Sequence, residues 1–274
     1  MSEIIISNHN SISVQHKVTE DMYNRFVSFI DAKPKTLESY KRALKQLFKY
    51  FTSEGISQPT REDILSYRDM LIATGHKPTT VQNYITTTRL FFQWLEQEGI
   101  YPNIAIHIKG AKLDREHKKD YFTSSQVRSI LKGINRESVS GKRDFAMMAL
   151  MVTGGLRTIE VSRANIEDIR TAGDNTVLYV QGKGRDEKTE YIILDENVES
   201  AIRAYLADRT ITSSAEPLFC SESNNSKGQR MTTRAISGIA KACMQKAGFD
   251  SDKLTAHSLR HTAVTLSLLA GETL

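Results

Sequence analysis

Cysteine is scarce in this sequence, and its scarcity argues against a zinc-binding protein and against a disulfide-stabilised secreted protein. Cys220 and Cys243 are the only cysteines among 274 residues. Neither lies in a CxxC motif or beside a histidine at ligand spacing, so the sequence predicts no zinc site. Residues 1–15 contain no basic segment followed by an apolar segment, so we expect no secretory signal. Two reduced thiols in a cytoplasmic protein are therefore favoured over a disulfide.

Long hydrophobic runs are also missing, because no apolar segment approaches the length that spans a bilayer. Hydrophobic residues make up 39% of the chain and charged residues 25%, which is typical of a folded globular protein. The length predicts one large domain or two ordinary ones. The net charge of +5 and the pI of about 9.1 favour a polyanionic partner without requiring one.

Helical periodicity fills the first part of the chain. Residues 1–17 are polar and largely aperiodic, and we predict a short leader there. Over residues 18–105, four segments repeat apolar side chains every three or four positions, with short connections between them. This pattern predicts a four-helix bundle, with Pro34 ending its first helix.

Two of these helices carry polar outer faces. Hydroxyl, amide and basic side chains supply the usual contacts to DNA phosphates and base edges. The candidates are Lys41, Arg42 and Lys45 on the second helix, and Thr79, Thr80, Asn83, Thr87 and Arg89 on the fourth. An ordinary solvated face is the alternative.

A change of composition follows the predicted bundle. Residues 106–120 lose the periodicity and are rich in lysine and arginine, which indicates a basic linker. Such a linker either lies along a DNA backbone or is simply solvated.

Residues 121–274 mix helical and strand periodicity and predict a second, α+β domain. Its Met-rich segment, 145–152, indicates a buried helix. Two strands are predicted at 177–180 and 189–194, joined by a glycine-rich hairpin. The chain as a whole is thus predicted to be mainly α with a small β-sheet.

Four polar residues of this second domain suggest chemistry on a phosphodiester. Arg157 follows the glycine pair 154–155, Lys183 lies between two glycines of the hairpin, and His257 and Arg260 share a helix face. Arginines neutralise charge on non-bridging phosphate oxygens, while lysine and histidine transfer protons. Each piece also has an ordinary alternative, such as a surface arginine in a helix–helix turn.

The order and surroundings of these residues resemble the tyrosine recombinase (phage integrase) family. The matching segments are TGGLRTIEV at 153–161, VQGKGRDEKTEYIIL at 180–194 and TAHSLRHTAVT at 255–265. The helical region before them is similar to that family's SAM-like core-binding domain, and the region from 121 on to its catalytic domain.

The resemblance implies a role for each matching residue. Arg157 and Arg260 would clamp the scissile phosphate, Lys183 would protonate the 5′ oxygen, and His257 would act as the acid or base. Glu160 would support Arg157, with a helix-surface carboxylate as the alternative. Lys188 and Arg185 are alternatives for the hairpin role, and a structural role is favoured for His261.

The resemblance also implies the reaction and the partners. A tyrosine attacks the phosphate and forms a 3′-phosphotyrosine link, without metal or cofactor, and four protomers act on two double-stranded DNA sites. The family's tyrosine lies downstream of the HxxR helix, whereas no tyrosine here follows Tyr205. Tyr191 and Tyr205 themselves are better explained by packing.

We therefore expect a chain cut before its nucleophile, which binds DNA without cleaving it. A catalytically silent DNA-binding relative and a type IB topoisomerase are the alternatives.

Overall fold

The computed structural model describes residues 5–6, 16–17, 20–112, 120–182 and 184–271. Lys183, most of the predicted leader and about half of the predicted linker lie outside these ranges. The chain divides into two compact units, Met1–Arg115 and Glu116–Leu274. Within the described ranges, no helix has the length and apolar character needed to cross a membrane.

The first unit contains the predicted helical bundle. Its helices are α1 (Glu20–Ile30), α2 (Pro34–Ser53), α3 (Arg61–Ala73) and α4 (Pro78–Gln97). Apolar faces of all four meet in one core, whose largest buried side chains include Trp94, Tyr67 and Phe26. The four-helix prediction is therefore confirmed.

Prolines begin two of these helices. Pro34 and Pro78 occupy the first turns of α2 and α4, where the fixed φ of proline suits a helix and its missing N–H is not needed. The prediction that Pro34 ends the first helix was wrong. That helix ends at Ile30, and Asp31 follows it with a φ of 44°.

A short strand pair precedes the bundle. Strand β1 (Ile5–Ile6) pairs antiparallel with β2 (His16–Lys17), in a segment for which the sequence predicted no regular structure.

The second unit packs helices around a small sheet. Its helices are α5 (Ser124–Lys132), α6 (Val139–Thr153), α7 (Thr158–Arg163), α8 (Glu196–Ala207), α9 (Thr233–Lys246) and α10 (Ala256–Leu269). The methionines of α6 are fully buried in its core, as the sequence predicted. Tyr205 of α8 is also fully buried, and its hydroxyl accepts a hydrogen bond from the Cys220 backbone N–H at 3.1 Å.

The sheet is antiparallel, in the order β3 (Ile169–Ala172), β4 (Asn175–Val180), β5 (Glu190–Ile193). Strands β4 and β5 confirm the predicted hairpin, whereas β3 was not predicted. Leu178 pairs with Ile169 on one side and Ile192 on the other, so one face of the sheet is apolar and packs on the helices.

Candidate active site

The turn between α6 and α7 places Arg157. Gly154 ends α6 with ordinary helical geometry, but a Cβ there would come within 2.4 Å of the Ile192 Cδ1 atom. Gly155 has a φ of 61°, the left-handed region that favours glycine. A side chain at position 154 would thus have to displace the end of Ile192, whereas position 155 requires the conformational freedom of glycine. Arg157 then begins α7 as its N-cap residue.

Glu160 holds Arg157 in place through both carboxylate oxygens. Oε1 accepts from the guanidinium and Oε2 accepts from the Arg157 backbone N–H, each at 2.7 Å. The Glu160 side chain is only 5% exposed, whereas that of Arg157 is 41% exposed. The surface-carboxylate alternative for Glu160 is therefore wrong. This buried acid fixes an arginine whose remaining donors face solvent.

Arg260, from the first turns of α10, reaches the same carboxylate. Its guanidinium lies 4.0 Å from Glu160 Oε2 and donates to the Gly155 carbonyl at 2.6 Å. The Arg260 side chain is 32% exposed. Two arginines from distant parts of the sequence thus converge on one acid and keep donors available for an anion.

His257 lies beside this pair at the start of α10. It is exposed and lines an open cavity of about 730 Å³ together with Arg157. The ring of His261 packs edge-on against the ring of His257, with 4.8 Å between their centres. The structure thus brings together Arg157, Glu160, Arg260 and His257.

Sequence reasoning singled out none of the other polar side chains that line this cavity, among them Lys241 and Thr255. Lys241 lies on α9, and Thr255 is the N-cap residue of α10. The Thr255 hydroxyl is buried and is one of three described buried side-chain polar atoms without a hydrogen-bond partner. The signal available for Lys241 was its spacing from Ser237, one helical turn earlier, which lines the same cavity.

The hairpin between β4 and β5 contains the predicted Lys183, which lies outside the described residues. Lys188, one alternative for its role, pairs with buried Asp168 at 2.5 Å. Arg185, the other, pairs with Glu190 at 2.8 Å. Both alternatives are thus engaged in ion pairs. Arg163 at the end of α7 donates to the Gly182 carbonyl at 3.4 Å, which connects that helix to the hairpin.

In the first unit, the predicted DNA-contacting residues line two neighbouring grooves. One groove, of about 200 Å³, contains Arg42, Thr79, Thr80 and Asn83. The other runs along α2 and contains Lys41, Arg42 and Lys45. We call these two sets together the α2–α4 groove.

Two members of the predicted DNA-contacting set lie elsewhere. Thr87 is fully buried, and its hydroxyl donates to the Asn83 carbonyl one turn earlier, at 3.0 Å. It was wrongly assigned to the outer face, because α4 packs on a wider face than the apolar stripe indicates. Arg89 is half-buried and donates to the Thr86 hydroxyl at 3.4 Å.

Among the described residues, no group of three or more His, Cys, Asp or Glu side chains is arranged to hold a metal ion. Both cysteines are free thiols. Burial, with a smaller contribution from the Asp144 charge, raises the pKa of Cys243 from its ordinary value of 9.0 to about 11.

Comparison with family profiles gives two matches. Residues 120–270 match the phage integrase family, and residues 25–99 match the phage integrase N-terminal SAM-like domain. The first match alone covers more than half of the chain.

Curated relatives agree with these matches. The tyrosine recombinase XerC of Leptospira interrogans is 30% identical over 243 residues, which are 86% of this chain and 75% of that protein. XerC of Thermodesulfovibrio yellowstonii is 27% identical over 86% of this chain and 77% of its own length. XerD of Oceanobacillus iheyensis is 27% identical over 84% and 77%.

Solved structures share the fold. Lambda integrase (residues 75–356), as a dimer bound to a core site, aligns with a TM-score of 0.71 at 16% identity, over 92% of this chain and 89% of that one. XerH in a post-cleavage complex with its difH substrate aligns with a TM-score of 0.72 at 18% identity, over 91% and 73%. The chain therefore belongs to the phage integrase family of tyrosine recombinases, DNA strand transferases that act in site-specific recombination.

Proposed function

We propose that this chain binds duplex DNA and holds the scissile phosphate with Arg157 and Arg260. The observation that carries this proposal is the convergence of both guanidinium groups on buried Glu160, while each keeps about a third or more of its side chain exposed. A phosphate bound there meets two planar sets of donors that need no reorganisation. The buried carboxylate stabilises the cations when DNA is absent.

The reaction proceeds by displacement at phosphorus. A tyrosine oxygen forms a bond to the phosphorus as the bond to the 5′ oxygen breaks, and negative charge grows on the non-bridging oxygens that Arg157 and Arg260 contact. Lys183 gives its proton to the leaving 5′ oxygen. His257 receives a proton from the attacking hydroxyl or donates a hydrogen bond to the phosphate. The second strand transfer reverses these steps with a new 5′ hydroxyl.

The 274 residues themselves bind DNA without cleaving it in this proposal. No tyrosine belongs to the described lining of the cavity that contains Arg157 and His257. Tyr205, the last tyrosine of the sequence, is fully buried with its hydroxyl hydrogen-bonded, and burial raises its pKa. It is therefore unsuited to attack a phosphate.

The α2–α4 groove supplies the second DNA contact. Lys41, Arg42 and Lys45 are exposed and positively charged, while Thr79, Thr80 and Asn83 add hydroxyl and amide groups. Residues 18–105 then form the core-binding domain, 106–120 a basic linker along the DNA, and 121–274 the catalytic domain. Arg89 contributes only through the part of its side chain that remains exposed.

Assembly follows the solved relatives. Lambda integrase is known as a tetramer bound to a Holliday junction, and this structure aligns with a TM-score of 0.68 at 17% identity, over 90% of this chain and 71% of that one. We use the term active protein for the form that carries the nucleophilic tyrosine. We propose that four copies of the active protein likewise act on two DNA sites, in the cytoplasm where that DNA is found.

The first experiment separates phosphate chemistry from DNA binding. The variants Arg157→Ala and Arg260→Ala are made in the protein that the natural gene encodes. The substrate is DNA that spans the ends of the genetic element in which that gene lies. We expect near-normal DNA affinity and no covalent protein–DNA species on a denaturing gel. Arg128→Ala, an exposed position on α5 outside the cavity, is the control and should form the adduct normally.

Each other outcome has a meaning. An adduct with Arg157→Ala would refute the phosphate clamp. Binding without an adduct in the unmutated protein would favour a silent DNA-binding relative. Relaxation of plasmids without any site requirement would favour a type IB topoisomerase.

The second experiment tests the α2–α4 groove with the 274-residue chain. Asn83→Ala should weaken binding to duplex DNA, because its amide lies in the groove. Thr87→Val should leave the affinity unchanged, because the Thr87 hydroxyl is turned into the helix. Equal effects of the two changes would refute the assignment.

A further inference from the structure

We propose that the Asn83 amide reads an adenine in the major groove of DNA, and that Ser39 positions the amide for this contact. The assignment rests on the proposed function, because it lies in the α2–α4 groove that binds DNA there. It names the base that one residue of this groove selects. It also gives Ser39, which belongs to none of the sequence motifs, a role in that selection.

Two helices hold the Asn83 amide in place. Asn83 lies in the second turn of α4, and Ser39 lies in α2. The Asn83 Nδ2 atom donates to the Ser39 Oγ atom at 3.1 Å. Both side chains are half-buried and line the same groove of about 200 Å³. Because the bond fixes the amide before DNA arrives, less side-chain freedom is lost when a base binds.

The hydrogen-bonding groups that remain on this amide match adenine. An asparagine amide has two N–H donors and one acceptor oxygen. Among the described residues, Ser39 is the hydrogen-bond partner of the amide, so one N–H and the oxygen remain for a ligand. In the major groove, adenine presents the N7 acceptor beside the N6 amino donor, whereas guanine presents two acceptors. Cytosine presents only a donor there and thymine only an acceptor, so adenine alone can bind both groups of the amide.

The surroundings of Asn83 suit a helix that enters the major groove. Thr79 and Thr80 precede Asn83 by four and three residues, so the three side chains share one face of α4. Arg42 of α2 is exposed and lines the same groove. Hydroxyl and guanidinium groups of this kind contact phosphates and fix the register of the helix on the duplex. The neutral, oriented amide between them is the group suited to read a base edge.

The first experiment selects the sequences that the 274-residue chain binds from a library of random duplexes. We expect the unmutated chain to prefer adenine at one position where Asn83→Ala has no preference. The preferences at other positions should remain. Thr87→Val is the matched control on α4, because the Thr87 hydroxyl is buried and bonded within the helix, and it should keep every preference. Identical preferences in all three proteins would overturn the assignment of Asn83.

The second experiment replaces that adenine with 7-deazaadenine, which pairs with thymine but lacks the N7 acceptor. One bidentate contact discriminates between bases by about 5- to 150-fold, and loss of its N7 half should weaken binding by the unmutated chain within this range. The same replacement should not weaken binding by Asn83→Ala further. Equal weakening of both proteins would mean that another residue reads the base.

Variants of Ser39 test the positioning role. Ser39→Ala removes the bond that orients the amide, so the discrimination between adenine and 7-deazaadenine should fall. Ser39→Thr keeps a hydroxyl and should retain the discrimination. The affinity for duplexes without the preferred adenine should be the same in both variants as in the unmutated chain. A loss of affinity for all duplexes, with unchanged discrimination, would show that Ser39 supports only the packing of α2 on α4.

Failure of this assignment is distinguishable from failure of the proposed function. If the unmutated chain does not bind duplex DNA, the proposed function itself fails. If the unmutated chain binds duplex DNA without a preferred adenine, or keeps that preference in Asn83→Ala, only the base contact is refuted.

Discussion

One oxygen of the Glu160 carboxylate accepts the Arg157 backbone N–H, and the other accepts the guanidinium of the same residue, both at 2.7 Å. The acid thus fixes both the start of α7 and the side chain that begins it. Because Arg260 lies 4.0 Å from the same group, Glu160 also sets the distance between the two arginines.

Glu160→Gln should disturb this arrangement. The amide nitrogen of glutamine cannot accept from either donor, so one charge-assisted hydrogen bond is lost. We expect the free energy of unfolding to fall by about 1–3 kcal/mol. The cleavage rate of the active protein should fall further than its DNA affinity. Urea denaturation and single-turnover cleavage measure the two effects.

The control is Glu167→Gln, which changes an exposed carboxylate. It should leave both quantities nearly unchanged. If Glu160→Gln behaves like this control, the buried acid does not organise the arginines.

Lys188 and Asp168 form the anchor of the hairpin. Asp168 is 2% exposed and Lys188 is 22% exposed. Lys188→Met should leave a buried carboxylate without its cation, which costs about 3 kcal/mol, the low end for a broken buried pair because the lysine is partly exposed. Chemical denaturation measures this loss.

A second substitution tests the cause of that loss. The double variant combines Lys188→Met with Asp168→Asn, so the buried carboxylate charge is removed. The asparagine oxygen can still accept the Asn165 backbone N–H, as Asp168 does at 2.6 Å. We expect most of the lost stability to return. A double variant as unstable as the single one would mean that packing of the lysine stem, rather than charge, is responsible.

The sequence predicted those elements whose signals are local. Apolar residues repeated every three or four positions located α1 to α4, and the period-two pattern located β4 and β5. Strand β3 was missed because its four residues, Ile169–Ala172, carry too short an alternation and gain stability only by pairing with β4.

Other features depend on tertiary contacts that no local pattern contains. Thr87 and Thr88 are polar yet buried, because each hydroxyl bonds a carbonyl one turn earlier and so needs no water. The motif residues near 157 and 260 were found as separate pieces. Their common contact with Glu160, and the burial of that acid, required the fold.

Cys243 should make stability depend on pH above neutrality. Its folded pKa is about 11, above the ordinary value of 9.0, so the folded state holds the thiol proton more tightly than the unfolded state. This contribution is complete below about pH 9 and is lost as the pH rises toward 11. By pH 10 the loss should reach roughly 1 kcal/mol, a figure that partial exposure reduces.

Cys243→Ala isolates this contribution. Tyrosines and lysines titrate in the same range, so the measured quantity is the difference in unfolding free energy between the unmutated chain and the variant. That difference should shrink from pH 8 to pH 10. A constant difference would mean that the thiol has an ordinary pKa.

Gly155 forms the turn before α7 and also contacts Arg260. Its φ is 61°, and its carbonyl accepts the Arg260 guanidinium at 2.6 Å. An alanine there would pay the cost of a left-handed residue, about 1 kcal/mol, and its Cβ would lie 3.4 Å from that of Ala263. We expect Gly155→Ala to lower stability by about that amount. It should lower cleavage further, because any relief of the strain moves the carbonyl that holds Arg260.

Gly173→Ala is the control that separates the backbone cost of a left-handed alanine from the effect on the carbonyl that contacts Arg260. Gly173 lies in the turn between β3 and β4 with a φ of 60° and open space around it, so the backbone cost is the same. The two variants should therefore lose similar stability in urea denaturation, whereas only Gly155→Ala should lose cleavage by the active protein. Equal cleavage by both would show that the Arg260 contact with the Gly155 carbonyl is incidental, and that Glu160 alone positions the second arginine.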